Sequence, residues 1–230
     1  MTLVGLVVVS HSARLADGVV EVAAQMAPDV TVAAAGGTAD GGIGTDADAV
    51  IAAIERADGG TGAVLLYDLG SARMVAELAV ETLSDPDSAL LVDAPLVEGA
   101  VAAAVAAQGG ADLAAVARAA RGAAGGGPGA PAAAEPVVSP GVPHARVAIR
   151  LANEVGLHAR PAALLARTVS AVDAQVTVRL GDATADGASV LAVMALGARR
   201  GDEIEVSAMG PDAGEAVRRI EELAARDFDE

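Results

Sequence analysis

LVGLVVVSHSARLADGVVEVAAQM, residues 3–26, decides the fold of the first half of the chain. Leu3–Val9 is a continuous apolar run rich in valine, with no polar residue in it. Such a run reads as a strand buried on both faces, the kind that parallel sheets contain. Ala13–Met26 then carries its apolar residues at helical spacing. His11 falls in the turn between the two, at the strand's carboxyl edge, where open α/β sheets bind their ligands.

The same rhythm continues outward. Val30–Ala35 reads as a second strand and Asp46–Ala57 as a helix capped by Thr45 or Asp46. Ala63–Tyr67 is a third strand, followed by a helix from about Ser71 to Leu83. Ala89–Val92 is a fourth, with alanine-rich helical segments after Gly99 and Ala111. Strict alternation predicts an α/β domain over residues 1–121, a mostly parallel sheet with helices on both faces. Residues 122–145, GAAGGGPGAPAAAEPVVSPGVPHA, lose all periodicity and read as a flexible Gly/Pro/Ala linker, with His144 a bystander on it. Residues 146–230 change rhythm again. Arg146–Leu151 and Gln175–Leu180 alternate apolar and polar residues, as half-exposed antiparallel strands do. Pro161–Val172 is an amphipathic helix, Ala188–Leu196 a short apolar one, Glu203–Ala208 a strand and Asp212–Ala225 a closing helix. The back half is an α+β module.

Composition removes whole classes of function. There is no cysteine, so disulfides, thiolate catalysis and cysteine-bound metals are excluded. The net charge is -16, with 16 acids to 5 arginines in residues 1–121 and 14 to 10 in residues 146–230. An acidic chain with one Phe, one Tyr and no Trp is a poor binder of nucleic acid. Three distant histidines form no metal-ligand pair. The run Leu3–Val9 is too short for a membrane span, and the chain reads as a soluble, cytoplasmic protein with no membrane association. The glycine-rich loop Gly36–Gly44 lacks a P-loop's lysine and reads as a mobile rim segment.

Two histidines remain. Val155-Gly156-Leu157-His158-Ala159-Arg160-Pro161 joins a strand to a helix, and proline fits a helix's first turn. His158 thus sits at a helix start, where free N–H groups and the dipole favour an anion, and Arg160 adds a forked cation. His11 lies at the same sheet rim as Asp68, which ends the third strand. A carboxylate on one ring nitrogen would fix the tautomer and free the other nitrogen as a nucleophile. Gly70 and Ser71 open a helix able to cradle a phosphate, and Ser10 and Ser12 flank the histidine as further donors. A buried structural histidine, with Asp68 as a helix cap, is the competing reading of the same residues.

The back module resembles the histidine-containing phosphocarrier protein HPr of the bacterial phosphotransferase system, through GLHARPA at 156–162 and ASVLAVMALGARRGDEIEV at 188–206. The resemblance implies an open-faced sandwich, phosphorylation of His158 by enzyme I, and stabilisation of the phosphate by Arg160. Ser189 falls on a position that is a regulatory serine in some members; as a residue it reads first as a helix N-cap. Val155 departs from relatives with a polar residue there. VVSHSARLADGV at 8–19, IGTDADAV at 43–50, DLGSA at 68–72 and APLVEGAVAA at 94–103 resemble the phosphotransferase subunit of the phosphoenolpyruvate-dependent dihydroxyacetone kinase, itself similar to mannose-type IIA domains. That resemblance implies phosphorylation of His11, pairing with Asp68, a homodimer through the front domain, and delivery to ADP on a partner subunit. Dihydroxyacetone would be held by a third subunit.

The expected function is a phosphoryl relay from enzyme I to His158, to His11, to the partner's ADP. No cofactor is expected on the chain beyond the phosphoryl group it carries. A linker of about 24 residues spans roughly 25–30 Å root-mean-square, which lets the modules meet at near-millimolar effective concentration. The alternatives are a IIA-like component feeding a sugar permease, against which APLVEG counts, and a regulatory module that binds its target according to phosphorylation.

Overall fold

The computed structural model describes residues 2–125 and 144–229. The chain divides into two compact units, Met1–Ala124 and Gly125–Glu230.

The front unit alternates β1 (Gly5–Ser10), α1 (Ala13–Met26), β2 (Val32–Gly36), α2 (Ala47–Ala57), β3 (Ala63–Tyr67), α3 (Gly70–Glu81), β4 (Ala89–Val92), α4 (Leu96–Gln108) and α5 (Leu113–Gly122). Its four strands are all parallel, in the order β2-β1-β3-β4. Every residue of β1 is buried because both its faces are covered. Leu6 and Val8 pack with α1, α4 and α5, while Val7 and Val9 pack with α2 and α3. Alanine supplies much of the helix side of this contact, as at Ala100, Ala103, Ala104 and Ala107 of α4, and lets the helix backbone approach the sheet closely. The chain leaves β1 first to one side, for β2, and then crosses to the other, for β3. The carboxyl ends of β1 and β3 therefore frame the switch point of the sheet.

The back unit runs β5 (His144–Arg150), α6 (Ala159–Ser170), β6 (Gln175–Leu180), β7 (Ala183–Asp186), α7 (Val190–Ala195), β8 (Glu203–Met209) and α8 (Ala213–Ala225). The strands form an antiparallel sheet in the order β5-β8-β6-β7. Period-two alternation buries Val176, Val178, Ile204, Val206 and Ala208 on one face, where α8 packs on β5 and β8. The other face carries ion pairs of Glu205 with Arg146 and Arg179. The only Phe, Phe228, is 1% exposed and anchors the turn after α8.

Both modules have the expected architecture, and the differences lie at the edges. The span expected as a linker, residues 122–145, holds regular structure at both ends. Gly122 still belongs to α5, Ala123–Gly125 adds a short 3-10 turn, and His144 and Ala145 begin β5. His144 is not a bystander on free chain: it pairs with Met209 across the ladder. Residues 126–143 of that expectation lie outside the described residues. Strand β7 was not anticipated, because Ala183–Asp186 is four residues with an acid and no β-branched pair. Among the described residues no helix is long and apolar enough to cross a membrane.

Candidate functional site

The parallel register delivers His11 and Asp68 to one rim. Val9 pairs with Tyr67, so Ser10 ends β1 level with Asp68, and His11 follows one residue on. Asp68 then takes four donors, two on each carboxylate oxygen. Oδ1 accepts from His11 Nδ1 at 2.9 Å and from the Leu69 N–H at 2.7 Å. Oδ2 accepts from the His11 N–H at 2.8 Å and from Ser10 Oγ at 2.9 Å. Burial raises the Asp68 carboxyl's pKa, but the two His11 donors, Ser10 and Leu69 outweigh it and hold the group below its ordinary value of 3.8. Asp68 is therefore a carboxylate at neutral pH, and a carboxylate facing Nδ1 requires the ring to keep its proton there.

That tautomer leaves Nε2 with a free lone pair. Ser71 Oγ lies 2.7 Å from Nε2, so its hydroxyl donates to it. The His11 side chain is 20% exposed and that of Asp68 12%, which leaves the ring accessible at the edge of the unit. Helix α3 starts at this point with Leu69 as its N-cap and no side-chain cap bond. Among the described residues no side chain caps its first N–H groups beside Nε2, the arrangement that favours an anion.

The flanking serines have other tasks than the sequence suggests. Ser10, fully buried at the end of β1, donates to Asp68 and accepts from the Ser12 N–H at 3.0 Å. Ser12 Oγ accepts from Leu15 N–H and caps α1. Both build the turn that holds His11, and the ring's direct side-chain partners are Asp68 and Ser71. The competing reading of Asp68 as a helix cap also fails, since Leu69 occupies that position. The loop Gly36–Gly44 is not a loose rim. The Gly37 N–H bonds to the Ser10 carbonyl and the Gly44 N–H to the His11 carbonyl at 2.9 Å. Positive φ at Gly37, Gly41 and Gly44 is what permits this folded path. Helix α2 that follows is capped by Asp46, not Thr45.

His158 is built differently. It is the N-cap residue of α6, exposed, and makes no side-chain cap bond. Arg160 and Pro161 occupy the first turn of that helix. Arg160 is exposed, and its charge adds to that of Arg226, the main partner, in holding the Asp229 carboxyl low. Gly156 has φ +65, and a Cβ there would lie 2.2 Å from the Ala198 carbonyl oxygen. Only glycine fits this approach, which the Leu157 N–H to Ala198 carbonyl bond of 2.9 Å completes. Asn153 inside the same loop, 3% exposed, was not singled out by sequence reasoning; an isolated Asn three residues before a glycine carries no spacing signal. Ser189 caps α7, accepting from Ala192 N–H at 3.3 Å, and is half-buried.

Comparison with known proteins agrees with this division. The family model for the PTS system fructose IIA component matches residues 5–117, and that for the PTS HPr component phosphorylation site matches residues 145–226. The PEP-dependent dihydroxyacetone kinase phosphoryl donor subunit of Providencia stuartii is 36% identical over 98% of this chain and 50% of its own length. That of Listeria innocua, the first of two in that organism, is 44% identical over 45% of this chain and 82% of its own length. A crystal structure of HPr from Thermoanaerobacter tengcongensis is 35% identical, covering 37% of this chain and 97% of that one, with a TM-score of 0.37. The chain spans about half the length of the long curated relatives it matches. With an Asp-paired histidine at the switch point of a IIA-type sheet and a second histidine heading a helix in an HPr-type module, the chain belongs to the family of phosphoryl donor subunits of the phosphoenolpyruvate-dependent dihydroxyacetone kinases.

Proposed function

We propose that the chain is a phosphohistidine relay, taking a phosphoryl group from phosphoenolpyruvate by way of enzyme I onto His158, passing it to Nε2 of His11, and delivering it to ADP bound on a partner subunit of dihydroxyacetone kinase. Dihydroxyacetone is held by a further subunit. In this reading the chain binds no cofactor and works as the carrier; the kinase chemistry belongs to its partners.

The observation that carries the reading is the line from Asp68 through the His11 ring to Ser71, with 2.9 Å on one nitrogen and 2.7 Å on the other. In the transfer, the Nε2 lone pair attacks phosphorus, the P–N bond to His158 breaks, and its electron pair returns to the His158 ring. The phosphorylated His11 ring keeps its Nδ1 proton and becomes cationic, and the Asp68 carboxylate facing that proton stabilises it. Ser71 turns its hydroxyl from the lone pair to a phosphoryl oxygen, alongside the N–H groups that open α3. At His158 the α6 N-terminus and Arg160 supply the corresponding charge balance. The N–P bond is already reactive, so positioning and charge stabilisation suffice for each step.

The test is His11→Ala in a mixture of enzyme I, phosphoenolpyruvate, the kinase subunits, ADP and dihydroxyacetone. Phosphate should accumulate on His158 and dihydroxyacetone phosphorylation should cease. Survival of that activity contradicts the relay.

A further inference from the structure

The loop that presents His158 is pinned from outside at both ends. Leu151 exchanges two bonds with the 198–202 turn, its N–H donating to Asp202 and its carbonyl accepting from Gly201, and Leu157 donates to Ala198. Between these anchors Glu154 and Val155 form a hydrogen-bonded turn, and across it the Asn153 Nδ2 donates to the Gly156 carbonyl at 2.8 Å. Asn153 is 3% exposed, and its Oδ1 is buried without a hydrogen-bond partner among the described residues. An unpaired buried acceptor is destabilising. Stability alone does not explain an amide here, because the second half of the group weakens the fold. What the amide does secure is the path of Gly156, two residues from an imidazole that no carboxylate among the described residues orients.

We infer that Asn153 is a positioning residue for His158: acting through Gly156, it fixes the loop in the conformation that presents the imidazole at the start of α6. This rests on the relay reading for its kinetic consequence, and on the geometry alone for its structural one. His11 is oriented by side chains that touch its ring, whereas His158 is oriented by its backbone, and Asn153 is the side chain that sets that backbone.

The test uses the full chain with two substitutions. Asn153→Leu exchanges the orphaned Oδ1 for an orphaned Gly156 carbonyl, leaving the number of unpaired buried acceptors unchanged while removing the tie. Its melting temperature should stay near wild type. Phosphorylation of His158 by enzyme I should fall roughly 10- to 100-fold, the scale of a misplacement of about 1 Å. Asn153→Asp places a carboxylate against the Gly156 carbonyl, and burial raises that carboxyl's pKa. On protonation its O–H can donate as the amide does, so the rate of Asn153→Asp relative to wild type should rise as pH falls, while the Asn153→Leu ratio stays flat. Backbone amide NMR signals of Gly156, Leu157 and His158 should broaden or multiply in Asn153→Leu, with no phosphoryl donor present. Folded Asn153→Leu with a wild-type rate and unchanged amide signals would overturn the inference. If enzyme I fails to label His158 in the wild-type chain, the relay reading fails instead, and the amide signals still decide the role of Asn153.

Discussion

Replacing Asp68 by Asn separates the relay from a structural role for its histidine. The carboxylate takes two donors on each oxygen, four in all. An amide offers one accepting oxygen. If that oxygen faces His11 Nδ1 and the Leu69 N–H, the new NH2 meets the His11 N–H and Ser10. Ser10 can rotate to accept, but the backbone N–H cannot, and an orphaned donor costs about 1–3 kcal/mol. If the amide flips, its NH2 faces Nδ1, the ring proton moves to Nε2, and the nucleophilic lone pair is lost. In either arrangement the cationic phosphorylated ring no longer faces a carboxylate, a loss of up to about 1.5–3 kcal/mol, equivalent to roughly 10- to 150-fold in rate. The assay is a rapid-quench single turnover with excess enzyme I and labelled phosphoenolpyruvate, reading label on the His158 and His11 peptides separately. Labelling of His158 should be unchanged and onward transfer slowed by that factor. Onward transfer within about twofold of wild type would refute the role given to Asp68.

Ser71→Ala removes the hydroxyl 2.7 Å from Nε2 and with it one donor to the phosphoryl group. The bond to Nε2 in the unphosphorylated ring is lost as well, so what counts is the excess of a charge-assisted bond over a neutral one, about 1 kcal/mol; the equilibrium distribution of label should move back toward His158 by roughly fivefold, read by peptide mapping after long incubation. The depressed Asp68 pKa makes a stability prediction with a definite sign. A lowered folded-state value contributes stability above the ordinary carboxyl pKa and loses it as pH falls through the folded value. Acid unfolding of the front unit below pH 3.8 should thus be less steep in Asp68→Asn, by circular dichroism. Phe228→Ala empties a site 1% exposed and should lower the stability of the back unit by about 3–5 kcal/mol in urea titration, leaving the transition of the front unit where it is.

The residues of the candidate site were legible because of where strands end. Leu3–Val9 and Ala63–Tyr67 read as parallel strands, which was enough to bring His11 and Asp68 together and to place Ser71 at the next helix start. The local motif GLHARP likewise placed His158 ahead of a helix. What escaped is what depends on the exact path of a turn. Ser10 and Ser12 look equivalent beside His11, yet one lies buried at a strand end and the other caps a helix. The glycines of residues 36–44 suggested mobility, whereas their positive φ angles let the loop bond to the His11 turn. Asn153 was silent because its partner is a backbone carbonyl, and no pattern of side chains announces such a bond. The ends of the expected linker blurred because alanine and glycine tails continue a helix or a strand without changing composition.

In the proposed relay phosphate reaches His158 first and His11 second. Time-resolved mapping of acid-labile phosphate after mixing the chain with enzyme I and phosphoenolpyruvate tests it directly. Label should appear at His158 and then, with a lag, at Nε2 of His11; His158→Ala should leave His11 bare. Label reaching His11 without a lag, or reaching it in His158→Ala at the wild-type rate, would rule out that order.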